Sequence, residues 1–457
     1  MRDITIRNFR CYSYKQISFR RGINLLIGDN SVGKTSLLRA CNLVINSFFS
    51  GFSDENTSWK SADDDDFREI KTDEVQTNEQ PIIISFHFDE YDCPPIVLSD
   101  GSIVSLEAKQ SIEDNSGKPD LLIEKKSKKN ARNLVTGLKP LKNYASLLQK
   151  NSHIIDNDKL IQLNALPLFA YFTTEDIHTI RKFDKEKKNF KKYPQKPSFG
   201  YFESFDCKGL LDCWLKRLLV LKEANKGETE IECVEQAIAE ALGQKGCNII
   251  ADMKIMPNDG QIYFELGDKR EVRSDLLSDG YRRLVSIVVD IAMRSALLNK
   301  VMFGNKAYKH THGTVIIDEI DEHLHPELQV RVLKALHDTF PKLQFIVSTH
   351  SPLVISSVEN SENNAVFRLE FKDGVYSHVE LSTYGIDANS ILEGKMETIV
   401  RPIDIDNKIK NIRALLADKK ITEAKTELRE LETKTNIQQT DLTQLRAIIN
   451  RLEILSL

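Results

Sequence analysis

Residues Gly28-Asp29-Asn30-Ser31-Val32-Gly33-Lys34-Thr35 form an ungapped GxxxxGK[ST] motif. The apolar run Ile23-Asn24-Leu25-Leu26-Ile27 leads into it, and from Lys34 to about Phe49 apolar residues recur at helical spacing. Strand, glycine loop and helix in that order commit the chain to an α/β fold that can hold a polyphosphate. The glycines let backbone N–H groups wrap the phosphates at a helix N-terminus. Lys34 reaches the β and γ oxygens, and the Thr35 hydroxyl ligates Mg2+. The candidate ATP-binding set is therefore Gly28, Asn30, Ser31, Gly33, Lys34, Thr35 and Ser36.

Three further motifs carry chemistry. Val315-Ile316-Ile317-Asp318-Glu319 is a hydrophobic strand ending in two carboxylates. Asp318 is placed to ligate Mg2+, and Glu319 to act as general base or positioner for an attacking water. Leu277-Ser278-Asp279-Gly280-Tyr281-Arg282 heads a helix, where Ser278 and Gly280 can offer a hydroxyl and a backbone N–H to a phosphate. Thr349-His350-Ser351-Pro352 comes after the strand Gln344–Ser348, and His350 can bond a γ-phosphate and sense its loss.

The charges nearly cancel, 63 basic against 67 acidic, so a nucleic-acid partner must be held by local patches. One such patch is 181–196, where eight Lys/Arg are interleaved with Phe183, Phe190 and Tyr193. No apolar run approaches the ~18–20 residues that span a bilayer. The longest, Leu284 to Met293, is broken by Asp290. A charged start running into a strand, and seven cysteines without a CxxC pair, give the expectation of a cytoplasmic protein with reduced thiols and no leader.

Along the chain, residues 2–28 read as two strands, and Gly51 to Gln80, with the acidic run Asp63–Asp66, as a loop or mobile insertion. Strands come next at Ile82–Phe88, Ile103–Ala108, Leu121–Glu124 and Leu166–Phe172, and helices at Leu210–Ala224 and Glu230–Leu242. In the tail, apolar residues Ile409 to Leu431 and Leu442 to Leu452 mark two faces of a helical hairpin. The expected domains are 1–175 (first half of the head, with the P-loop), 176–248 (helical insertion with the basic loop), 249–400 (second half) and 401–457 (hairpin for packing or assembly).

The ordered set GxxxxGK[ST], LSxG, hydrophobic-DE and a strand-end His resembles the ABC-type ATPase heads of the Rad50, SMC and RecF group. Ile6-Arg7-Asn8-Phe9-Arg10 is similar to that group's first strand. Asp318-Glu319-Ile320-Asp321-Glu322-His323-Leu324-His325-Pro326 looks like the OLD-like and RecF-like branch, with His325 where transporters carry the D-loop aspartate. The resemblance implies a mixed β-sheet with a RecA-like P-loop core. It implies ATP and Mg2+ as cofactors, Arg10 as a further ATP contact, and Glu319 and His350 as catalytic groups. It also implies head-to-head dimers in which Ser278 and Gly280 of one subunit cap the nucleotide on the other. One departure stands out: Ala170-Tyr171-Phe172-Thr173-Thr174-Glu175 has no glutamine where these ATPases place one, so Thr174 or Glu175 substitutes or the Mg2+ coupling differs.

Tyr384-Gly385-Ile386-Asp387-Ala388-Asn389-Ser390-Ile391-Leu392 and the terminal hairpin resemble the end of the PtuA group, ATPases of Septu and retron-linked antiphage systems. That resemblance implies higher-order oligomers, a separate HNH nuclease subunit, and in retron versions a reverse transcriptase with its RNA–DNA product. The alternative is a RecF-like or OLD-like ATPase of DNA repair or DNA binding. Leu392-Glu393-Gly394-Lys395-Met396-Glu397 echoes a Toprim opening, yet only 60 residues remain after Glu397, and Asp404-Ile405-Asp406 comes too soon for a Toprim fold. No intrinsic nuclease is expected.

Overall fold

The computed structural model describes residues 1–57, 59–68, 80–106, 121–128, 136–156, 159–174, 190–207, 209–394, 403–418, 420–434 and 440–455. Its contacts divide the chain into two compact units, Met1–Ile386 and Asp387–Leu457.

Three strands, not two, occupy the first 28 residues: β1 (Asp3–Phe9), β2 (Tyr12–Ser18) and β3 (Ile23–Ile27). The β1–β2 break falls at Arg10-Cys11, where Arg10 takes a left-handed backbone (φ 49°) and the chain reverses in two residues. β3 leads through the glycine loop into α1 (Lys34–Asn46). Next come β4 (Ile82–His87), β5 (Leu121–Lys125) and β6 (Leu168–Phe172), and then α2 (Leu211–Glu223) and α3 (Glu228–Ala241). A three-stranded antiparallel ribbon, β7 (Ile250–Met256), β8 (Gln261–Leu266) and β9 (Glu271–Arg273), precedes α4 (Asp279–Phe303). The unit closes with β10 (Gly313–Ile317), α5 (Pro326–Thr339), β11 (Leu343–Ser348), β12 (Ala365–Lys372) and β13 (Val375–Leu381).

Two sheets form. β2-β1-β4-β5 is antiparallel, and β1 and β4 alternate buried with half-exposed residues, as one-sided strands must. The larger sheet has the order β6-β10-β11-β3-β12-β13 and is parallel except for the last pair. β3, β6, β10 and β11 are buried along their whole length, the pattern of strands covered on both faces. Because β10, β11 and β3 are adjacent and parallel, the loops leaving their C-terminal ends emerge at one edge. That edge carries the Asp-Glu pair, the Thr-His pair and the glycine loop.

The acidic run is exposed at Asp63, Asp64 and Asp65 but not at its end. Asp63 caps a short turn through a reciprocal capping box with Asp66, and Asp66 is fully buried. Its carboxylate accepts from Arg10 Nε at 2.8 Å and from Arg39 Nη2 at 3.3 Å. Charge density suggested solvent, but a buried carboxylate is tolerable when two guanidinium groups compensate it. The run thereby ties the β1–β2 turn to α1. Residues 69–79 of the expected insertion lie outside the described residues.

α2 and α3 pack on α4. The Asp290 that interrupts the apolar run of α4 is satisfied inside the protein. It accepts from Trp214 Nε1 (2.6 Å) and from Arg294 Nε (2.6 Å) one helical turn on.

The terminal unit holds three long helices where the sequence pattern suggested a hairpin: α6 (Ile403–Ala417), α7 (Ile421–Lys434) and α8 (Thr440–Leu455). The stripe Ile409 to Leu431 is continuous in periodicity but breaks between α6 and α7, where Lys420 N–H returns to the Leu415 carbonyl (2.8 Å). Ile409, Ile412, Leu416, Ala424, Leu428, Leu431, Leu442, Leu445 and Ile449 all enter one buried cluster. The third helix supplies the apolar surface that two helices lacked.

Candidate nucleotide-binding and hydrolysis site

The glycine loop has the backbone its sequence demands, with φ of 141° at Gly28, 75° at Ser31 and 95° at Gly33. A Cβ at Gly28 would lie 2.5 Å from the Leu369 carbonyl of β12. One at Gly33 would lie 2.5 Å from Tyr12 Oη and 2.8 Å from Cys11 Sγ. Tyr12 Oη also donates to the Gly33 carbonyl (2.9 Å), so β2 braces the loop from behind. Asn30, Ser31 and Thr35 are exposed on the open side, and Ser36 bonds the Cys11 thiol.

Lys34 is buried, and its Nζ donates to the carbonyls of Gly28 (2.8 Å) and Asp29 (2.9 Å), curling back over the loop. Burial pulls its pKa down, while the carboxylates of Asp318, Glu319, Asp29 and Asp321 oppose that shift. The ammonium is therefore held by carbonyls, with the carboxylates acting on it through their charge.

Asp318 and Glu319 leave the end of β10. Ser348, at the end of β11, donates its hydroxyl to the Asp318 carboxylate and accepts the Glu319 N–H at 2.8 Å. Glu319 sits at φ 49°, a backbone that non-glycine residues rarely adopt and that turns it away from the strand path. Burial raises its pKa, the Asp318 charge raises it further, and His350 works the other way. His350 Nε2 stands 4.0 Å from Glu319 Oε1. Asp321 fixes the approach, accepting from Thr349 Oγ1 (2.5 Å) and from the His350 N–H (3.3 Å).

Ser278 is the N-cap of α4, extended (φ −60°, ψ 153°), exposed and without a side-chain cap bond. Gly280 is buried, and a Cβ there would come within 2.4 Å of the His323 carbonyl. One turn into α4, Arg283 reaches back to the carbonyls of Asp318 (2.8 Å) and Glu319 (3.0 Å) and to the Glu322 carboxylate (3.4 Å). Arg10, half-exposed, donates through Nε to Asp66. Thr174 is half-exposed beyond β6, and Glu175 lies outside the described residues.

Ser348, Arg283, Asp321 and Tyr12 were not singled out from sequence. Ser348 and Asp321 each sit within two residues of a motif, which was the available signal. Arg283 had another, its place beside the Leu277–Arg282 motif, whereas nothing local marks Tyr12. In the basic patch, 181–189 lie outside the described residues. Phe190 does not stand out among the lysines but packs against Phe199 and Trp214, 5.1 Å from each ring centroid, so it is not available to stack on bases.

Mg2+ needs few protein ligands when phosphates supply the rest. Among the described residues, no cluster of three or more His, Cys, Asp or Glu could hold a metal alone. The exposed Thr35 hydroxyl and the Asp318 carboxylate suit a shared, phosphate-completed site.

A P-loop ATPase core of α/β type is the class that this sheet edge defines. Residues 23–356 match the family described as "AAA domain, putative AbiEii toxin, Type IV TA system", and the chain belongs to that family. Among its relatives, the Retron Vc95 probable ATPase of Vibrio cholerae serotype O1 biovar El Tor is 34% identical over 142 residues, 31% of this chain and 27% of that protein. Septu protein PtuA of Bacillus mycoides (strain KBAB4) is 30% identical over 135 residues, 30% of this chain and 18% of that protein. Under a third of either relative's length is matched. Among solved structures, an SMC head bound to the C-winged helix domain of ScpA aligns with a TM-score of 0.45 at 16% identity, over 83% of this chain and 97% of that one. No described helix is long and apolar enough to cross a membrane.

Proposed function

We propose that the chain is the ATP-binding and ATP-hydrolysing subunit of an antiphage defence complex, controlling a separate HNH-type nuclease through ATP-dependent pairing of its heads. The observation that carries the ATPase part is the single sheet edge where Lys34, Asp318, Glu319 and His350 converge. The relatives named for Septu and retron systems support the defence part. The loop N–H groups and Lys34 hold the β and γ phosphates. Thr35 and Asp318 hold Mg2+, which neutralises phosphate charge when bound. Glu319 accepts a proton from the attacking water. His350, backed by Asp321, reads whether the γ-phosphate is present.

Lys34→Ala tests the base of this reading. Loss of the buried ammonium removes the one cationic side chain of the glycine loop, so ATP affinity, measured by titration calorimetry, falls at least about 100-fold. Unchanged affinity would place the nucleotide elsewhere.

The division of labour is tested on the purified chain. It hydrolyses ATP, assembles beyond a dimer and cleaves no nucleic acid until a nuclease subunit is added. Metal-dependent cleavage by this chain alone, lost on mutating one of its own residues, would refute that reading and revive the OLD-type alternative.

A further inference from the structure

Every group read as hydrolytic lies on one side of β3. The larger sheet runs β10-β11-β3-β12 through its middle, and Asp318, Glu319 and His350 follow β10 and β11. They meet the γ end of a polyphosphate on the glycine loop. The other end of that ligand, with the nucleoside attached to it, therefore points toward β12 and β13. β12 lies directly against β3 there, with Arg368 opposite Ile27 and the Leu369 carbonyl 2.5 Å from where a Cβ on Gly28 would stand.

Two residues beyond Leu369, Phe371 pairs across the hairpin with Tyr376. Their ring centroids are 4.4 Å apart, with planes inclined at 36°. The connecting Asp373-Gly374 has φ of 52° and 78°, the two left-handed residues of a tight hairpin turn, so the pair is held close to its tip. Tyr376 packs edge-on against Tyr12 at 5.0 Å, and Tyr12 Oη is the group that holds the Gly33 carbonyl. The Cys11 thiol bonds both Tyr376 and Ser36. An aromatic wall thus leads from the first turn of α1 out to Phe371. Packing accounts for its inner part only. Phe367 and Leu369, on the same face of β12, are buried, whereas Phe371 is 51% exposed. A ring fixed from behind and open in front, beside a phosphate loop, has the geometry of a stacking platform.

From this placement we infer that Phe371, backed by Tyr376, is the platform on which the base of the bound nucleotide stacks, and that it favours purines over pyrimidines. The inference rests on the ATPase reading of the glycine loop and extends it from the phosphates to the base. Stacking rewards overlapped ring area, so the two fused rings of a purine gain more than the single ring of a pyrimidine. It reads no hydrogen-bonding edge, so adenine and guanine are treated alike.

The test is calorimetric titration of the full chain with ATP, GTP, CTP, UTP and inorganic triphosphate. ATP and GTP bind about tenfold more tightly than CTP and UTP. Phe371→Ala weakens ATP and GTP about tenfold, closes most of the purine–pyrimidine gap and leaves triphosphate affinity unchanged. Phe371→Leu keeps apolar bulk on Tyr376 without an aromatic face and behaves like the alanine variant, whereas Phe371→Tyr keeps the wild-type values. A variant that had lost the hairpin or the fold would also lose triphosphate binding, so unchanged triphosphate affinity excludes that cause. The inference is overturned if Phe371→Ala binds ATP as the wild type does, or if triphosphate affinity falls in step with that for ATP. Lys34→Ala separates this result from the reading of the loop. ATP binding lost there but untouched in Phe371→Ala overturns the platform alone, whereas ATP binding that survives Lys34→Ala overturns both.

Discussion

Glu319→Gln lowers ATP turnover by about 10²–10⁴-fold and leaves ATP affinity within a few fold of the wild type. The substitution keeps the size of the side chain and removes only its ability to take a proton. The groups that place residue 319 are untouched: Ser348 receives its N–H at 2.8 Å and Arg283 donates to its carbonyl at 3.0 Å, both through the backbone. Asp318 remains to hold Mg2+. The pH profile gives an independent readout. Burial and the neighbouring Asp318 raise the Glu319 pKa above that of an ordinary glutamate. A base must be deprotonated to act, so turnover falls as pH drops through that raised value, and the acid limb lies at higher pH than a solvated glutamate (about 4.3) would give. In Glu319→Gln that limb is lost along with the rate. Single-turnover hydrolysis measured between pH 4 and 8 would decide the matter. A Gln variant with wild-type turnover would remove Glu319 from its role.

How much of this was legible beforehand depends on whether local sequence carried the signal. Strand, glycine loop and helix are contiguous, and Gly28 and Gly33 occupy two of the loop's three positive-φ positions, Ser31 taking the third. The two motifs after β10 and β11 could be placed at one edge because buried parallel neighbours leave their C-terminal ends together. What escaped was set by contacts distant in sequence. Asp66 looks solvated until Arg10 and Arg39, 56 and 27 residues away, are seen to hold it. Phe190 looks like part of a basic surface until Trp214 packs on it. The break between α6 and α7 leaves no gap in apolar periodicity, because both helices turn the same stripe into one core. In the site, the clamps on the catalytic carboxylates, Ser348 and Arg283, reach them from 29 to 36 residues away. Motif reading finds the residues that meet the nucleotide more readily than those that hold them in place.

The second large effect is expected from Ser278→Arg, which abolishes ATP turnover while leaving ATP binding to the separated subunit intact. Ser278 is the position to change, and Gly280 is not. Any side chain at Gly280 would collide with the His323 carbonyl and disturb the chain's own Asp318–His325 loop. Ser278 is exposed and makes no capping bond, so the head itself tolerates an arginine there. What it does not tolerate is a partner's nucleotide approaching the N-terminus of α4, where a long side chain blocks the phosphate from the helix end. Losing such a transition-state contact costs about 10²–10³ in rate, and steric exclusion of the whole face costs more. Complementation makes the test stringent. In a two-fold head-to-head dimer, each hydrolysis site takes Glu319 from one chain and Ser278 from the other. Two inactive proteins, Glu319→Gln and Ser278→Arg, mixed in equal amounts, form mixed dimers in half of all pairings. Each mixed dimer has one site broken twice and one site fully wild type. Activity therefore returns to about a quarter of the wild-type rate if the two sites act independently. A chain that hydrolysed ATP within its own head would show no recovery at all, since neither protein carries a complete set. Recovery near a quarter, paired with silence from each variant alone, is an outcome that only a site shared between subunits can produce.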